Sequence, residues 1–421
     1  MPSTRHATHL DLLVPMLSNM ALVLDICIGV LQVARELGIG VIGMGWMGDL
    51  HSRSYLQVPM RFPEAAVFPQ LVICADEFES RVSRAQRAYG FAETTTDWRR
   101  VVDHPEVQVV NVATPNNLHG QIVEAVAAAG KHILCEKPVG RYPEETVKIA
   151  ALVKGAGVNS HVGYNYRWIP VVQLARQLVE RGEIGDITHY RGQFLEGYGA
   201  NSDAMLTWRF QSDVAGLGVL GDMMSHTIDM AHMLVGPIKR VVSQQDTFIK
   251  DRPLSVPGEG THFSISEGGP RGAVDNEDYV GALVEFKNGA RGTFESCRIV
   301  MGEKFGLTFQ MNGSAGALHW HGERMNELEI YRAEDDPSRD GFTRILTGPK
   351  LPHHAAFTPA DAMPIAYDDL KAIEMYEFLQ AIGEDRPSVP GMAEAAAVAE
   401  VSAAMRRSWE SGGWENVTAL D

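Results

Sequence analysis

The feature that most constrains this chain is a short apolar run, residues 37–42, that empties directly into Gly43-Met44-Gly45-Trp46-Met47-Gly48. An apolar stretch without polar alternation reads as a strand buried on both faces, and so as part of a parallel sheet. The G-x-G-x-x-G spacing after it permits a tight turn and close approach to the backbone. It also opens a helix whose first N–H groups lack partners. Set between strand and helix, Gly43, Gly45, Trp46, Met47 and Gly48 form the fingerprint of a dinucleotide pyrophosphate site.

The following 120 or so residues repeat the alternation. A segment at 59–70 carrying Pro59, Pro63 and Pro69 reads as an inserted loop before a strand at 71–75. Then come a helix at 79–89, a strand at 107–113, an Ala-rich helix at 119–129 and a strand at 132–135. Strands alternating with helices imply a doubly wound α/β sheet. Beyond Gly163 and a helix at 171–181 the pattern changes to longer, alternating strands at 187–194, 278–286, 290–299, 305–312 and 328–333, with turns such as Lys287-Asn288-Gly289. This predicts an α+β domain with a large, mostly antiparallel open sheet. Stretches 251–276 and 332–363 read as surface loops, and helices at 370–381 and 393–411 close the chain, their apolar spacing suited to packing on either domain. The expected division is an N-terminal extension at 1–36, a Rossmann NAD-binding domain at 37–163 and the α+β domain at 164–421.

Composition narrows the partners. A formal net charge of -16 leaves no basis for a positive face, which argues against nucleic acid or an anionic membrane. Cys27, Cys74, Cys135 and Cys297 are scattered, suggesting neither a disulfide framework nor a thiolate zinc site, and a reducing cytoplasm fits best. Residues 10–31 are apolar, but Asp11 and Asp25 interrupt them and only Arg5 is basic ahead of them. They are read as neither signal peptide nor membrane span, and the extension as dispensable.

Three places carry candidate chemistry. Asp76 ends the second strand, where a carboxylate can accept from the ribose hydroxyls of NAD, or can cap the helix that starts at Glu79. Glu77 adds a second negative charge and no nearby arginine points the other way, so NAD is expected over NADP. Glu136-Lys137-Pro138 follows a sheet strand, which puts Lys137 at the carboxyl edge where ligands bind, unless it is a surface lysine paired with Glu136. Asp222 and His226 lie four apart on a helix read from Gly221 to Leu234. They share a face and can address one substrate hydroxyl, or can be a capping aspartate and a buried structural histidine. No third ligand at metal-site spacing accompanies them, and no metal is expected.

The glycine turn, Asp76, Thr114-Pro115-Asn116-Asn117-Leu118-His119, Glu136-Lys137-Pro138, Asn165-Tyr166-Arg167 and Asp222-x-x-x-His226 occur here in the order and spacing of the Gfo/Idh/MocA oxidoreductases, which the chain resembles from Leu37 to its C-terminus. Trp208-Arg209-Phe210, Gly313-Ser314-Ala315-Gly316 and Gly412-Gly413-Trp414 add to the likeness. The Pro-rich loop and the second-domain insertion are most similar to members that oxidise pyranoses.

The resemblance implies a catalytic triad of Lys137, Asp222 and His226, with His226 as general base and Lys137 holding the carbinol oxygen. It implies that Thr114, Pro115, Asn117, His119, Glu136 and Lys137 line the nicotinamide side. Tyr166, Arg167, Glu196 and Trp208 would join the triad around the substrate. Met224 stands where many relatives have glycine, and is expected to reshape the pocket floor. The implied activity is NAD-dependent oxidation of a secondary hydroxyl of a pyranose, glycoside or cyclitol, by a homo-oligomer, dimer or tetramer. A ketosugar reductase and a non-catalytic sugar or NAD sensor are the alternatives. A histidine base of ordinary pKa, near 6.5, predicts oxidation rising through neutral pH.

Overall fold

The computed structural model describes residues 35–254, 264–266, 268–333, 338 and 340–420. Most of the expected extension, with the apolar stretch 10–31 and Cys27, lies outside the described residues.

Strands β1 (Arg35–Ile42), β2 (Val67–Ala75), β3 (Glu93–Thr95), β4 (Val109–Val112), β5 (His132–Cys135) and β6 (Ser160–Val162) form a parallel sheet in the order β3-β2-β1-β4-β5-β6. The order reverses between β1 and β4, which opens a crevice at their carboxyl ends. The connecting helices include α1 (Trp46–Arg61), α2 (Glu79–Tyr89), α3 (Asn116–Ala128) and α4 (Pro143–Ala156).

The expected Pro-rich loop is mostly regular structure. Helix α1 continues through Pro59 to Arg61, at the cost of the one N–H bond that position 59 would give to the Tyr55 carbonyl in the last turn. Strand β2 already begins at Val67. Its Pro69 is tolerated because β3 pairs with β2 only from Ile73 to Ala75, so the outer side of the strand is an edge at Pro69.

The second sheet has nine strands. In chain order the elements are α5 (Pro170–Glu180), β7 (Ile187–Leu195), α6 (Ser225–Leu234), β8 (Ile238–Asp246), β9 (Asp251–Pro253), β10 (Arg271–Ala273), β11 (Tyr279–Phe286), β12 (Arg291–Cys297), β13 (Gly306–Gly313), β14 (Gly316–His321), β15 (Glu327–Arg332), β16 (Phe342–Leu346), α7 (Tyr367–Gly383), α8 (Met392–Ser411) and β17 (Glu415–Asn416). The sheet runs β16-β15-β14-β13-β7-β12-β11-β8-β17, antiparallel throughout except where β7 meets β12. Strands β8, β14 and β16 were not anticipated, and of the two expected loops one carries the β9–β10 pair and the other β16.

Helix α8 packs between α4 and β8. Helix α7 crosses back to the first sheet, where Met375, Phe378, Leu379 and Ile382 join Leu37, Val41, Tyr55, Val58 and Leu134 in one apolar cluster. A helix from the far end of the chain therefore completes the core beneath the glycine turn. Among the described residues no helix is long and apolar enough to cross a membrane.

Candidate active site

The glycine turn sits where β1 meets the crevice. Gly43 adopts φ +94°, and a Cβ there would lie 2.6 Å from the Ala113 carbonyl oxygen, so the loops after β1 and β4 touch. A Cβ on Gly48 would lie 1.8 Å from the Gly43 oxygen, whereas one on Gly45 would meet nothing within 4 Å. No side chain caps α1, which leaves its leading N–H groups beside that open space. The turn thus fits a pyrophosphate in both shape and polarity. Gly48→Ala is expected to displace it and to weaken NADH binding at least ~10-fold, a loss of about 1.4 kcal/mol readable by fluorescence titration. Unchanged affinity would place the pyrophosphate elsewhere.

Asp76 binds backbone on both sides of the crevice edge, and the helix after it starts at an N-cap, Phe78, that makes no side-chain capping bond. Its Oδ2 accepts the Met44 N–H at 2.7 Å and its Oδ1 accepts the Phe78 N–H at 3.0 Å, so it ties the glycine turn to the chain entering α2. The absence of a nearby arginine is corrected. One helical turn brings Arg81 Nη1 to 3.5 Å from Asp76, and Arg84 spans Asp49 at 2.6 Å and the Met44 carbonyl at 3.4 Å.

After β4, Thr114 and Pro115 lead into α3, with Asn117 exposed on its first turn. His119 does not line the crevice as expected. It is fully buried, with Nδ1 at 2.9 Å from the Pro138 oxygen and Nε2 at 2.9 Å from the Thr114 oxygen, and burial lowers its pKa. It is a strut between the Thr114 turn and the Glu136-Lys137-Pro138 segment. Its neighbour Asn116, passed over in the sequence, is buried and donates to the Ala215 oxygen at 2.9 Å.

Lys137 leaves the end of β5 and places Nζ 2.7 Å from Asp222 Oδ1 and 2.8 Å from the Asp222 carbonyl oxygen. Asp222 lies in a π-helical turn, Leu220–Met224, that runs directly into α6, so the expected helix is locally widened at its N-terminal end. Asp222 Oδ2 faces the Tyr198 hydroxyl at 3.5 Å and Arg209 Nε at 3.9 Å. His226 is buried, and its imidazole makes no hydrogen bond or ion pair with any described residue. It packs edge-on to Tyr166, centroids 4.7 Å apart, and to Tyr164 and Phe194. Burial, then the Lys137 charge, push its pKa well below the usual imidazole value.

Tyr166 is thus at the site, and so is Glu196, whose pKa burial and the Asp222 charge raise to about 7 against the opposing pull of Lys137. Trp208 opens a short helical turn, its ring beneath the Arg209 guanidinium at 4.4 Å, and Arg209 in turn faces Asp222. Arg167 is a correction. It is buried, and its Nε and Nη2 meet the two oxygens of Asp229 at 2.7 and 2.6 Å, which turns it away from any substrate and into the core. Met224 is fully buried in the turn that carries Asp222, its sulfur 3.7 Å from Ser296 Oγ on the sheet.

Sequence reasoning missed the shell under Glu136. This carboxylate is buried, with Oε1 at 2.7 Å from Lys371 Nζ and 3.0 Å from His51 Nε2, while Oε2 accepts the Lys137 N–H at 3.2 Å. Burial alone pushes its pKa up, but Lys371, His51 and Lys137 together hold it well below the usual carboxylate range. The available signal was charge at Lys371 and Glu374 inside a helix read as apolar. Among the described residues no group of three or more His, Cys, Asp or Glu is placed to hold a metal.

A doubly wound sheet with this turn, joined to a lysine, an aspartate and a histidine at its carboxyl edge, defines a dinucleotide-dependent oxidoreductase. Comparison with known proteins gives the family. Residues 37–164 match the oxidoreductase family with NAD-binding Rossmann fold, and residues 172–319 match the GFO/IDH/MocA C-terminal domain. Levoglucosan dehydrogenase of Pseudarthrobacter phenanthrenivorans is 38% identical over 92% of this chain and 99% of its own. The solved structure of levoglucosan dehydrogenase in complex with NADH and levoglucosan superposes with TM-score 0.86 at 37% identity, covering 91% of this chain and all of that one. An inositol dehydrogenase homologue from Azotobacter vinelandii, complexed with NAD+, shares the fold at TM-score 0.75 and 21% identity, over 91% and 98% of the two chains. The chain belongs to the Gfo/Idh/MocA oxidoreductases, and its first domain is their NAD-binding Rossmann domain.

Proposed function

We propose that this protein oxidises a secondary hydroxyl of a pyranose, glycoside or cyclitol to the ketone. The observation that carries the reading is the pairing of Lys137, anchored on Asp222, with a buried, unpartnered His226 at the carboxyl edge of the NAD-binding sheet. An ammonium ion has three N–H donors. Two are given to Asp222, and the third is left for the carbinol oxygen, whose developing negative charge it stabilises. His226, neutral at physiological pH, accepts the hydroxyl proton as the C–H bond breaks. NAD, when bound, supplies the acceptor for the hydride. Tyr166, Glu196 and Trp208 line the sugar side, and the identity to levoglucosan dehydrogenase over almost the whole chain supports a pyranose or anhydropyranose.

NADH formation on levoglucosan, glucose, galactose, xylose, simple glycosides and inositols tests this. Turnover on at least one, lost in His226→Ala, is the expected result, and no turnover on any would overturn it. The pH profile is more specific. With its pKa pushed down, His226 is already deprotonated at neutral pH, so its limb moves to the acid side of the ordinary histidine range. The group whose pKa burial and the Asp222 charge raise to about 7 is Glu196. Ionised, it accepts from substrate hydroxyls, so kcat/KM is expected to rise through that pH. Glu196→Gln should abolish this limb, and its persistence would return the ionisation to the histidine.

The open face of the second sheet, bearing Arg191, Gln193, Gln245, Thr293, Glu295 and Gln310, is the surface through which we take the chain to form a dimer or tetramer. Light scattering decides that state. The buried thiols Cys74, Cys135 and Cys297 suit the cytoplasm as its place of action.

A further inference from the structure

Helix α7 enters the site from more than 200 residues downstream of Glu136 and presents Tyr367, Lys371 and Glu374 at i, i+4 and i+7, a single stripe of the helix. Tyr367 stacks on Trp46 of the glycine turn, centroids 6.1 Å apart and planes 16° from parallel, and adjoins Tyr166 at 6.1 Å. One turn further on, Lys371 is fully buried, with Nζ 2.7 Å from Glu136 Oε1 and 2.8 Å from Glu374 Oε2. Glu374 faces His161 Nε2 at 3.5 Å, and His161 Nδ1 lies 2.7 Å from Ser388 Oγ. From the opposite side His51 reaches Glu136, its other ring nitrogen 3.0 Å from Asn111 Oδ1. Gly163 closes the box, since a Cβ there would lie 2.7 Å from the Glu136 carboxylate.

An ammonium ion is expensive to remove from water, and a well-packed apolar side chain often serves stability as well or better. What Lys371 adds is a fixed position for Glu136. The carboxylate is held at one oxygen by Lys371, with His51 Nε2 3.0 Å from the same atom, and receives the Lys137 N–H at the other, so the backbone from which Lys137 departs is pinned. A slip of that backbone would break both contacts of Lys137 with Asp222 together.

We propose that Lys371 is a positioning residue of the catalytic centre, acting through Glu136 to hold the backbone that aims Lys137 at Asp222 and the substrate hydroxyl. This rests on the reading of Lys137 as a catalytic group.

Lys371→Met alone leaves two buried carboxylates face to face and is expected to fold poorly. The informative enzyme is the double variant Lys371→Met/Glu374→Gln, which removes one charge of each sign. Circular dichroism and thermal melting establish that it is folded, after which kcat, the sugar KM and a crystal structure are measured. The expected result is kcat lower by roughly 10- to 100-fold with the sugar KM nearly unchanged, as for misplacement of a reacting group by about 1 Å. The crystal structure is expected to show Lys137 Nζ beyond hydrogen-bond reach of Asp222. A folded double variant with wild-type kcat and an intact Lys137–Asp222 contact would overturn the proposal. If the wild type turns over no sugar at all, the proposed function falls, and the position of Lys137 in the two structures still decides the role of Lys371.

Discussion

A Lys137→Met enzyme is expected to fold and still bind NADH, through the glycine turn, while losing roughly 10³-fold or more in kcat, about 4 kcal/mol of transition-state stabilisation. Two contributions vanish together. The donor left for the carbinol oxygen is gone, and Asp222 loses the cation that fixes its Oδ1 and main-chain oxygen. Folding should survive because the Lys137 and Asp222 side chains are only partly buried, 15% and 31% exposed, so water can replace the missing charge. Steady-state kinetics beside NADH titration and a melting curve check this. A variant retaining more than about a tenth of wild-type kcat would remove Lys137 from the chemistry.

Arg167→Met is expected to act on stability instead. Asp229 would remain buried without the guanidinium that meets both its oxygens, and breaking a buried pair from one side costs about 3–5 kcal/mol. The melting midpoint should fall by on the order of 3–6 °C. Arg167→Met/Asp229→Leu, which removes both charges, should recover much of it. Had Arg167 gripped the sugar, as its place in Asn165-Tyr166-Arg167 suggested, the single variant would raise the sugar KM and leave the midpoint alone. That outcome would reverse the assignment made from the ion pair.

The parts of the site legible in the sequence are those whose chemistry is local. The glycine turn, Lys137 after β5, and Asp222 with His226 four residues later are each specified by a few adjacent residues and the element they end or begin. What escaped was direction and distance. No spacing tells whether Arg167 or His119 points to the crevice or to the core, because that depends on Asp229, Pro138 and Thr114, none of them sequence neighbours. Arg81 was only five residues from Asp76, and a single turn of α2 was enough to bring it back. The prolines misled for the opposite reason, since Pro59 costs its helix a single bond in the last turn and Pro69 lies where its strand has an open edge. The antiparallel sheet was legible in kind from strand alternation, yet β8 and β14 were missed. Their buried positions are interrupted by polar residues such as Arg240 and His319.

The return of α7 to the first sheet has a consequence for synthesis. Both family matches, 37–164 and 172–319, end before this helix begins at Tyr367. When the ribosome has finished the last strand of the NAD-binding sheet, the cluster around Leu37, Val41 and Tyr55 still lacks Met375, Phe378, Leu379 and Ile382. At ordinary elongation rates that half-domain waits on the order of 10–40 s for its lid of apolar side chains. The nascent chain must therefore keep an unfinished core soluble through most of its own translation, and an excised NAD-binding half carries the same wound permanently.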